Sequence, residues 1–270
     1  MTTDNTSEQN MPHTHDHSAD EVHTHDHAPA RDMSSLYLPG AIIIAGVLIA
    51  GGLFLGLSHS APTAATGAQQ PAAAAVDIKN VKTAGEPYLG QDNAPVVLAF
   101  WSDFQCPYCK AFETGGVTGI NTPAALPAII TQYVNTGKVK VVFKDFAFLG
   151  NDSISAGEYG RSVWALYPSQ YFAWRTAMYK AQDQEGDKGF GNPATIDALI
   201  KSQFPQINDT AVKADVAKNK AAYDAAMQAD TQEVQALGIN GTPGFVTGTK
   251  LISGAEPLAA FTSAIDPQLK

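Results

Sequence analysis

The stretch FWSDFQCPYCKAFE, residues 100–113, contains both cysteines of the chain and joins an apolar run to a helical pattern. The run at 96–101 (VVLAFW) is consistent with a buried strand. Two residues separate Cys106 from Cys109, and this spacing brings the sulfurs within bridging distance when both lie on the first turn of a helix. The pattern therefore predicts a strand, a short turn and a helix that begins at a cysteine pair.

The two cysteines are expected to differ in reactivity because of their places on this helix. Unpaired N–H groups and partial positive charge at a helix N-terminus lower a thiol pKa from about 8.5 to between roughly 3.5 and 7.5. We predict that Cys106, at the helix start, is an exposed nucleophile, and that Cys109, one turn inside, is the buried thiol that resolves a mixed disulfide. Pro107 suits the first turn, where its missing N–H would have been unpaired anyway.

A structural disulfide and half of a metal site are the alternative interpretations of this pair. A bridge across four residues removes little chain entropy and would add little stability. Two thiolates cannot complete a four-ligand zinc site, and residues 86–270 contain no histidine. The lack of histidine also argues against Ser-His-Asp hydrolysis and His-ligated metal catalysis. The sequence therefore favours redox chemistry and predicts neither a metal nor a cofactor for this part of the chain.

Residues 36–57 (LYLPGAIIIAGVLIAGGLFLGL) carry no charge. As a helix they would span roughly 33 Å, enough to cross the hydrocarbon core of a bilayer. A cleaved signal peptide usually has an apolar run of about 7–15 residues nearer the terminus, and a buried core helix would need apolar neighbours to cover it. We therefore predict a transmembrane anchor. Arg31, the base closest to it, places the N-terminus in the cytoplasm and the rest of the chain outside.

Polar segments flank the predicted anchor. Residues 1–35 have a net charge of −6 and contain the motif HTHDH twice, at 13–17 and 23–27. These imidazoles and carboxylates could hold zinc, nickel or copper, and the alternative is a disordered polar tail. Residues 58–85 are predicted to form a flexible linker, because 59–76 are mainly Ala, Pro, Gln and Thr. No segment combines a basic patch with aromatic residues, so nucleic acid is not an expected partner.

The remaining chain, residues 86–270, alternates between strand and helix patterns. A second strand is predicted at 138–143 (KVKVVF), and the long stretch at about 153–237 shows only helical spacing. Two short strands at 244–247 and 250–253 and a final helix at 258–265 follow it. The pattern thus indicates a β-α-β half and a β-β-α half on either side of a long helical segment.

Three segments together resemble the DsbA-like branch of the thioredoxin superfamily: SDFQCPYC at 102–109, KVKVVFKDFAFLG at 138–150 and GINGTPGFVTGTKLISGAEP at 238–257. The resemblance covers roughly residues 86–268. It implies an α/β thioredoxin fold with a helical subdomain inserted at about 153–237. It also implies that Thr242 and Pro243 form a loop with a cis proline that faces the active disulfide.

The resemblance further implies a protein disulfide oxidoreductase. The catalytic residues would be Cys106 and Cys109, and the supporting residues would be Pro107, Tyr108, Thr242 and Pro243. It favours a dithiol oxidase that oxidises reduced or misoxidised secreted proteins and is reoxidised by a quinone-linked membrane partner. We expect a monomeric, single-pass protein of the cell membrane with an extracytoplasmic catalytic domain. A reductase or isomerase of the same fold, and a membrane-anchored protein that binds metal through its His-rich tail, are the alternatives.

The sequence departs from the family pattern in two respects. Many relatives have a buried acid in the strand before the motif, whereas residues 96–101 contain no ionisable group. Asp103, Asp145 or a water molecule would have to carry protons for the buried thiol, so the sequence assigns no proton carrier. Tyr108 stands where the best-known oxidase of the family has histidine, and it cannot add that histidine's positive charge. The oxidising strength is therefore left open.

Overall fold

The computed structural model describes residues 76–183 and 189–270. The predicted tail, the predicted anchor at 36–57 and the linker as far as residue 75 lie outside the described residues. Within the part of the chain that the structure describes, no helix is long and apolar enough to cross a membrane. The anchor therefore stays a prediction from the sequence.

A five-stranded sheet with the order β1-β3-β2-β4-β5 forms the centre of the fold. The strands are β1 (Tyr88–Leu89), β2 (Val96–Ser102), β3 (Val139–Asp145), β4 (Gly244–Thr247) and β5 (Lys250–Ser253). β2 and β3 are parallel, and the other neighbouring pairs are antiparallel. This arrangement confirms the predicted strands, to which the structure adds the two-residue β1.

Helices lie between and after the two halves of the sheet. Between β2 and β3 lie α1 (Pro107–Glu113) and α2 (Leu126–Ile129), which continues as a π turn (Ile130–Val134). Between β3 and β4 lie α3 (Asn151–Leu166), α4 (Pro168–Ala181), α5 (Pro193–Gln203) and α6 (Asp209–Leu237). After β5 come α7 (Leu258–Ile265) and a 3₁₀ turn (Asp266–Leu269). The four helices α3–α6 form the predicted helical insertion.

The long helix α6 has recognisable signals at both ends. The side chain of Asn208 accepts a hydrogen bond from the Ala211 N–H at 3.1 Å, as an N-cap residue does. Gly238 ends the helix with a φ of 71°, a left-handed conformation that glycine adopts without a steric penalty. After Gly238 the chain continues directly into the loop before β4.

The alternation of side chains along β2 divides the core of the sheet into two sides. Leu98 and Phe100 point to the side covered by α1, α2 and α7, whereas Ala99 and Trp101 point to the side covered by the end of α6. A third apolar cluster fills the helical insertion, and we call it the insertion cluster. It includes Phe104, Tyr159, Val163, Trp174, Ile196, Ile200, Val212 and both cysteines. The cysteine pair thus packs against the insertion.

The folded part begins earlier than the boundary predicted at residue 86. Residues Ile78–Asn80 form a 3₁₀ helix, and the Ile78 N–H donates to the Gly248 carbonyl at 2.7 Å. Val81 is buried, and Val76 and Ile78 pack on the same side of the sheet as Trp101. These apolar side chains correct the predicted extent of the linker, because residues 76–85 are part of the folded unit.

Candidate active site

Both cysteines lie at the junction of β2 and α1, as predicted. Cys106 is the N-cap residue of α1, with an extended backbone (φ −78°, ψ 120°), and Pro107 occupies the first helical position. Cys109 is fully buried, and Cys106 is only 5% exposed. The prediction of an exposed Cys106 is therefore wrong in the dithiol form seen here. The loop at Thr242 covers this cysteine, and its Sγ atom donates to the Thr242 carbonyl oxygen at 3.3 Å.

The two thiols have opposite electrostatic surroundings. A hydrogen bond from the Cys109 thiol lowers the pKa of Cys106 to about 7, even though burial of Cys106 acts in the opposite direction. The side chain of Thr242 and the backbone N–H groups of Cys109 and Tyr108 contribute further to this lowering. Burial raises the pKa of Cys109 well above its ordinary value. Cys106 is thus expected to ionise near neutral pH, whereas Cys109 is expected to stay a thiol.

The loop before β4 brings a second segment to the cysteines. The Thr242–Pro243 peptide bond is cis, as the resemblance implied. Because Gly244 pairs with Trp101 on β2, this loop lies beside the turn that carries Cys106. A depression of about 430 Å³ next to it is lined by Tyr108, Asn240, Gly241, Thr242, Ser253 and Gly254. Tyr108 is 52% exposed, so its ring forms part of the accessible surface at the site.

A buried ion pair lies one helical turn beyond Cys109. Glu113, at the end of α1, accepts hydrogen bonds from Arg175 on α4 at 2.6, 3.0 and 3.1 Å. Arg175 also donates to the Ser102 hydroxyl at 2.7 Å and lies 3.3 Å from the Tyr179 hydroxyl. Burial raises the pKa of Glu113, whereas Arg175 acts in the opposite direction. Sequence spacing gave no signal for this group, because Arg175 is 62 residues from Glu113.

Both acids that the sequence offered as proton carriers are engaged by other protein groups. Both carboxylate oxygens of Asp103 accept hydrogen bonds from protein donors, which are the N–H groups of Gln105, Phe148 and Leu149 and the hydroxyl of Ser153. Asp145 forms an ion pair with Arg161 at 2.7 Å. Asp103 contacts both cysteines through its backbone, since its carbonyl accepts from the Cys106 N–H at 3.1 Å and its N–H donates to the Cys109 sulfur.

Fold and site together define a thiol–disulfide oxidoreductase of the DsbA-like type. Residues 82–267, more than half of the chain, match the family model described as Thioredoxin. The chain therefore belongs to the thioredoxin family.

Curated relatives match the same part of the chain. The chain is 24% identical over 183 residues to the probable disulfide bond formation protein D of Bacillus anthracis, and the match covers 67% of this chain and 77% of that protein. It is 24% identical over 189 residues to disulfide bond formation protein D of Bacillus subtilis strain 168, covering 69% and 78% of the two chains. The chain is thus similar to proteins of disulfide bond formation.

Solved structures share the fold. BdbD from Bacillus subtilis, in its oxidised form, superposes with a TM-score of 0.58 at 24% identity, covering 73% of this chain and 97% of that chain. The thiol-disulfide exchange protein alpha-DsbA2 from Wolbachia pipientis superposes with a TM-score of 0.55 at 25% identity, covering 67% and 86%. The catalytic domain of Proteus mirabilis ScsC has a TM-score of 0.53 at 26% identity, covering 69% and 90%. These similarities confirm the thioredoxin fold with its helical insertion.

Proposed function

We propose that this chain is a dithiol oxidase that donates a Cys106–Cys109 disulfide to proteins outside the cytoplasm. The observation that carries the proposal is the contrast between Cys106, with a pKa lowered to about 7, and Cys109, whose burial raises its pKa. A stabilised Cys106 thiolate is a good leaving group and stabilises the reduced form, which makes the corresponding disulfide more oxidising. The names of the curated relatives agree with this direction.

The proposed reaction has two exchange steps. A substrate thiolate attacks the sulfur of Cys106, the Cys106–Cys109 bond breaks, and the electron pair leaves on Cys109, which takes up a proton. A second substrate thiolate then attacks the substrate sulfur of this mixed disulfide, and Cys106 leaves as a thiolate. The substrate dithiol loses two electrons and two protons in forming its disulfide. One proton goes to Cys109, and the other goes to solvent, from which the Cys106 thiolate can be protonated to give the dithiol.

The residues around the thiols are proposed to hold the substrate. Pro243 has no N–H, so the backbone of Thr242 is left to pair with an extended substrate segment in the manner of an added strand. Pro107 begins the helix that stabilises the Cys106 thiolate. The exposed ring of Tyr108 and the adjacent depression would receive a substrate side chain.

We further propose that residues 36–57 anchor the chain in the cell membrane with residues 76–270 outside the cytoplasm. A quinone-linked membrane protein would then take up the two electrons from the Cys106–Cys109 dithiol. Labelling of intact cells with a membrane-impermeant thiol reagent tests the orientation. After the disulfide has been reduced with a membrane-impermeant reductant, Cys106 should be labelled without lysis, and labelling only after lysis would contradict the proposed orientation.

Trapping of mixed disulfides tests the catalytic roles. Cys109→Ser should accumulate mixed disulfides with substrate proteins through Cys106, whereas Cys106→Ser should neither trap substrates nor oxidise a reduced test protein. Equal trapping by both variants would contradict the assignment of the two roles.

The reduction potential of the full chain tests the direction of electron flow. An oxidase should have a potential well above about −270 mV, the thioredoxin range. A value near or below that figure would instead support the reductase that the sequence left as an alternative.

A further inference from the structure

One side chain from the helical insertion reaches the turn that carries Cys106. Gln182 follows the last residue of α4 and is buried. Its Nε2 atom donates to the carbonyl oxygen of Phe104 at 2.7 Å and to that of Cys106 at 3.0 Å. The amide therefore holds two carbonyl groups on either side of Gln105, immediately before the reactive helix begins.

We propose that Gln182 is a positioning residue for Cys106, because its amide fixes the turn that places the Cys106 sulfur against the N-terminus of α1. The inference rests on the proposed function only in taking Cys106 as the reacting thiol. In both of these bonds Gln182 donates to a main-chain carbonyl of the turn. Its contribution is therefore made through the backbone of Cys106.

Two further bonds link the same parts of the molecule. The Gln105 side chain donates to the Phe190 carbonyl at 2.8 Å, and Lys110 Nζ donates to the Gln182 carbonyl at 3.0 Å. Phe190 and Gln182 both belong to the connection between α4 and α5. Four hydrogen bonds thus tie the active-site turn and the first part of α1 to this connection, and Gln182 takes part in three of them.

The physical effect follows from the way the thiolate is stabilised. The backbone N–H groups of Tyr108 and Cys109 favour the thiolate of Cys106. Whether these N–H groups point at the sulfur depends on the backbone conformation of Cys106. The Cys106 carbonyl accepts from the Lys110 N–H at 3.2 Å as well as from Gln182. Loss of the Gln182 donor removes the hydrogen bond to the Phe104 carbonyl and leaves the Cys106 carbonyl with the Lys110 N–H alone, so the turn is expected to shift toward other donors or water.

The test measures the pKa of Cys106 in the full chain, from the pH dependence of its alkylation by iodoacetamide followed by mass spectrometry. Gln182→Met removes both donors at similar volume and should raise the Cys106 pKa by about one unit, a tenfold loss of thiolate at pH well below the pKa. Gln182→Glu keeps the shape, but its carboxylate faces two carbonyl oxygens, so it should raise the pKa at least as far. Gln203→Met, an exposed glutamine at the end of α5, is the matched control and should leave the pKa unchanged.

A purely structural role predicts a lower melting temperature without a change in the Cys106 pKa, and that result in a folded variant would overturn the proposal. A measurement on the unaltered chain covers the case in which the variants fail to fold. The side-chain amide signal of Gln182 in an NMR titration should shift with the same midpoint as Cys106 alkylation, and a signal that does not shift would also overturn it. Neither measurement needs a protein substrate. A chain that lacks oxidase activity but shows both effects would therefore contradict the proposed function and leave the role of Gln182 standing.

Discussion

Arg175 Nη2 lies 2.6 Å from Glu113 Oε1, and the two side chains are only 2% and 4% exposed. The pair connects the end of α1 to the middle of α4, and Glu113 follows Cys109 by one helical turn. A buried ion pair is costly to desolvate, so its worth depends on full hydrogen bonding of both partners. Here the guanidinium also donates hydrogen bonds to the hydroxyl groups of Ser102, Tyr171 and Tyr179.

Removal of Arg175 alone should destabilise the protein strongly. Arg175→Met leaves the Glu113 carboxylate buried without its partner, and breaking such a pair typically costs about 3–5 kcal/mol. Urea unfolding at pH 7 measures this loss. Lys140→Met is the matched control, because Lys140 pairs with the well exposed Asp92 and should matter far less. The double variant Glu113→Leu with Arg175→Met should regain most of the stability, and a double variant as unstable as the single one would contradict this explanation.

The Cys109 thiol should control the ionisation of Cys106. Alkylation of Cys106 is expected to rise with pH around a midpoint of about 7, because its hydrogen bond from Cys109 is the largest cause of the lowered pKa. Cys109→Ala removes that donor and should move the midpoint upward, toward the ordinary thiol value of about 8.5. Cys109→Ser retains a hydroxyl donor and should keep the midpoint closer to 7. If alanine and serine give the same midpoint, the hydrogen bond is not the cause.

Burial of Glu86 should make stability fall as the pH rises. Its pKa is raised from 4.5 to about 7, first by burial and then by Asp230, with Arg161 acting in the opposite direction. Between these two values the folded protein binds more protons than the unfolded chain, so the free energy of unfolding decreases as the pH increases. Glu86→Gln removes this dependence and should be more stabilising at pH 8 than at pH 5, by up to about 1.4 kcal/mol per unit of pKa shift.

Unfolding curves of both proteins across this pH range provide the measurement for Glu86. Glu256→Gln is the control, because Glu256 is exposed. A stability difference between Glu86→Gln and the unaltered chain that stays constant with pH would show that the Glu86 carboxyl does not titrate as described.

The carboxylate of Asp103 should be required for full stability and for the protection of Cys109 from alkylation. Asp103→Asn places an amide N–H₂ group among the four donors that the carboxylate accepts, so at least one buried donor loses its acceptor at a cost of about 1–3 kcal/mol. The backbone of Asp103 touches both cysteines, so Cys109 should also become open to alkylation in the folded variant. Chemical unfolding and mass spectrometry measure the two effects. Asp224→Asn is the control and should show neither effect, because Asp224 is partly exposed and pairs with Lys220 one turn away on α6. If Cys109 stays unreactive in Asp103→Asn, the Asp103 side chain does not influence the site.

Much of the fold could be predicted from the sequence because local patterns are strong at the relevant positions. The strands Gly244–Thr247 and Lys250–Ser253 and the helix Leu258–Ile265 lie at the predicted residues, since glycine and proline leave few alternatives for their ends. The position of Cys106 and Cys109 at a helix N-terminus followed from their spacing and the preceding apolar run. β1, at Tyr88–Leu89, was missed because two residues show no periodicity.

The surroundings of the thiols could not be predicted because they come from distant parts of the chain. Gln182 is 76 residues from Cys106, and Arg175 is 62 residues from Glu113. Glutamine near a helix end and arginine within a helix are both common in solvent-exposed positions, so their residue types carried no signal. The low exposure of Cys106 depends on how closely the loop at Thr242 approaches it, which is a property of the assembled sheet.

Both cysteines belong to the insertion cluster, while the cis-proline loop that faces them belongs to the sheet. The surroundings of the reactive pair therefore come from two parts of the molecule that are separate in sequence. Grafting the four residues from Cys106 to Cys109 onto a thioredoxin scaffold without such an insertion would transfer the letters of the motif but not its surroundings. Two chains with the same Cys-Pro-Tyr-Cys motif can accordingly differ in oxidising strength, because the packing of α3–α6 against the cysteines influences their reduction potential.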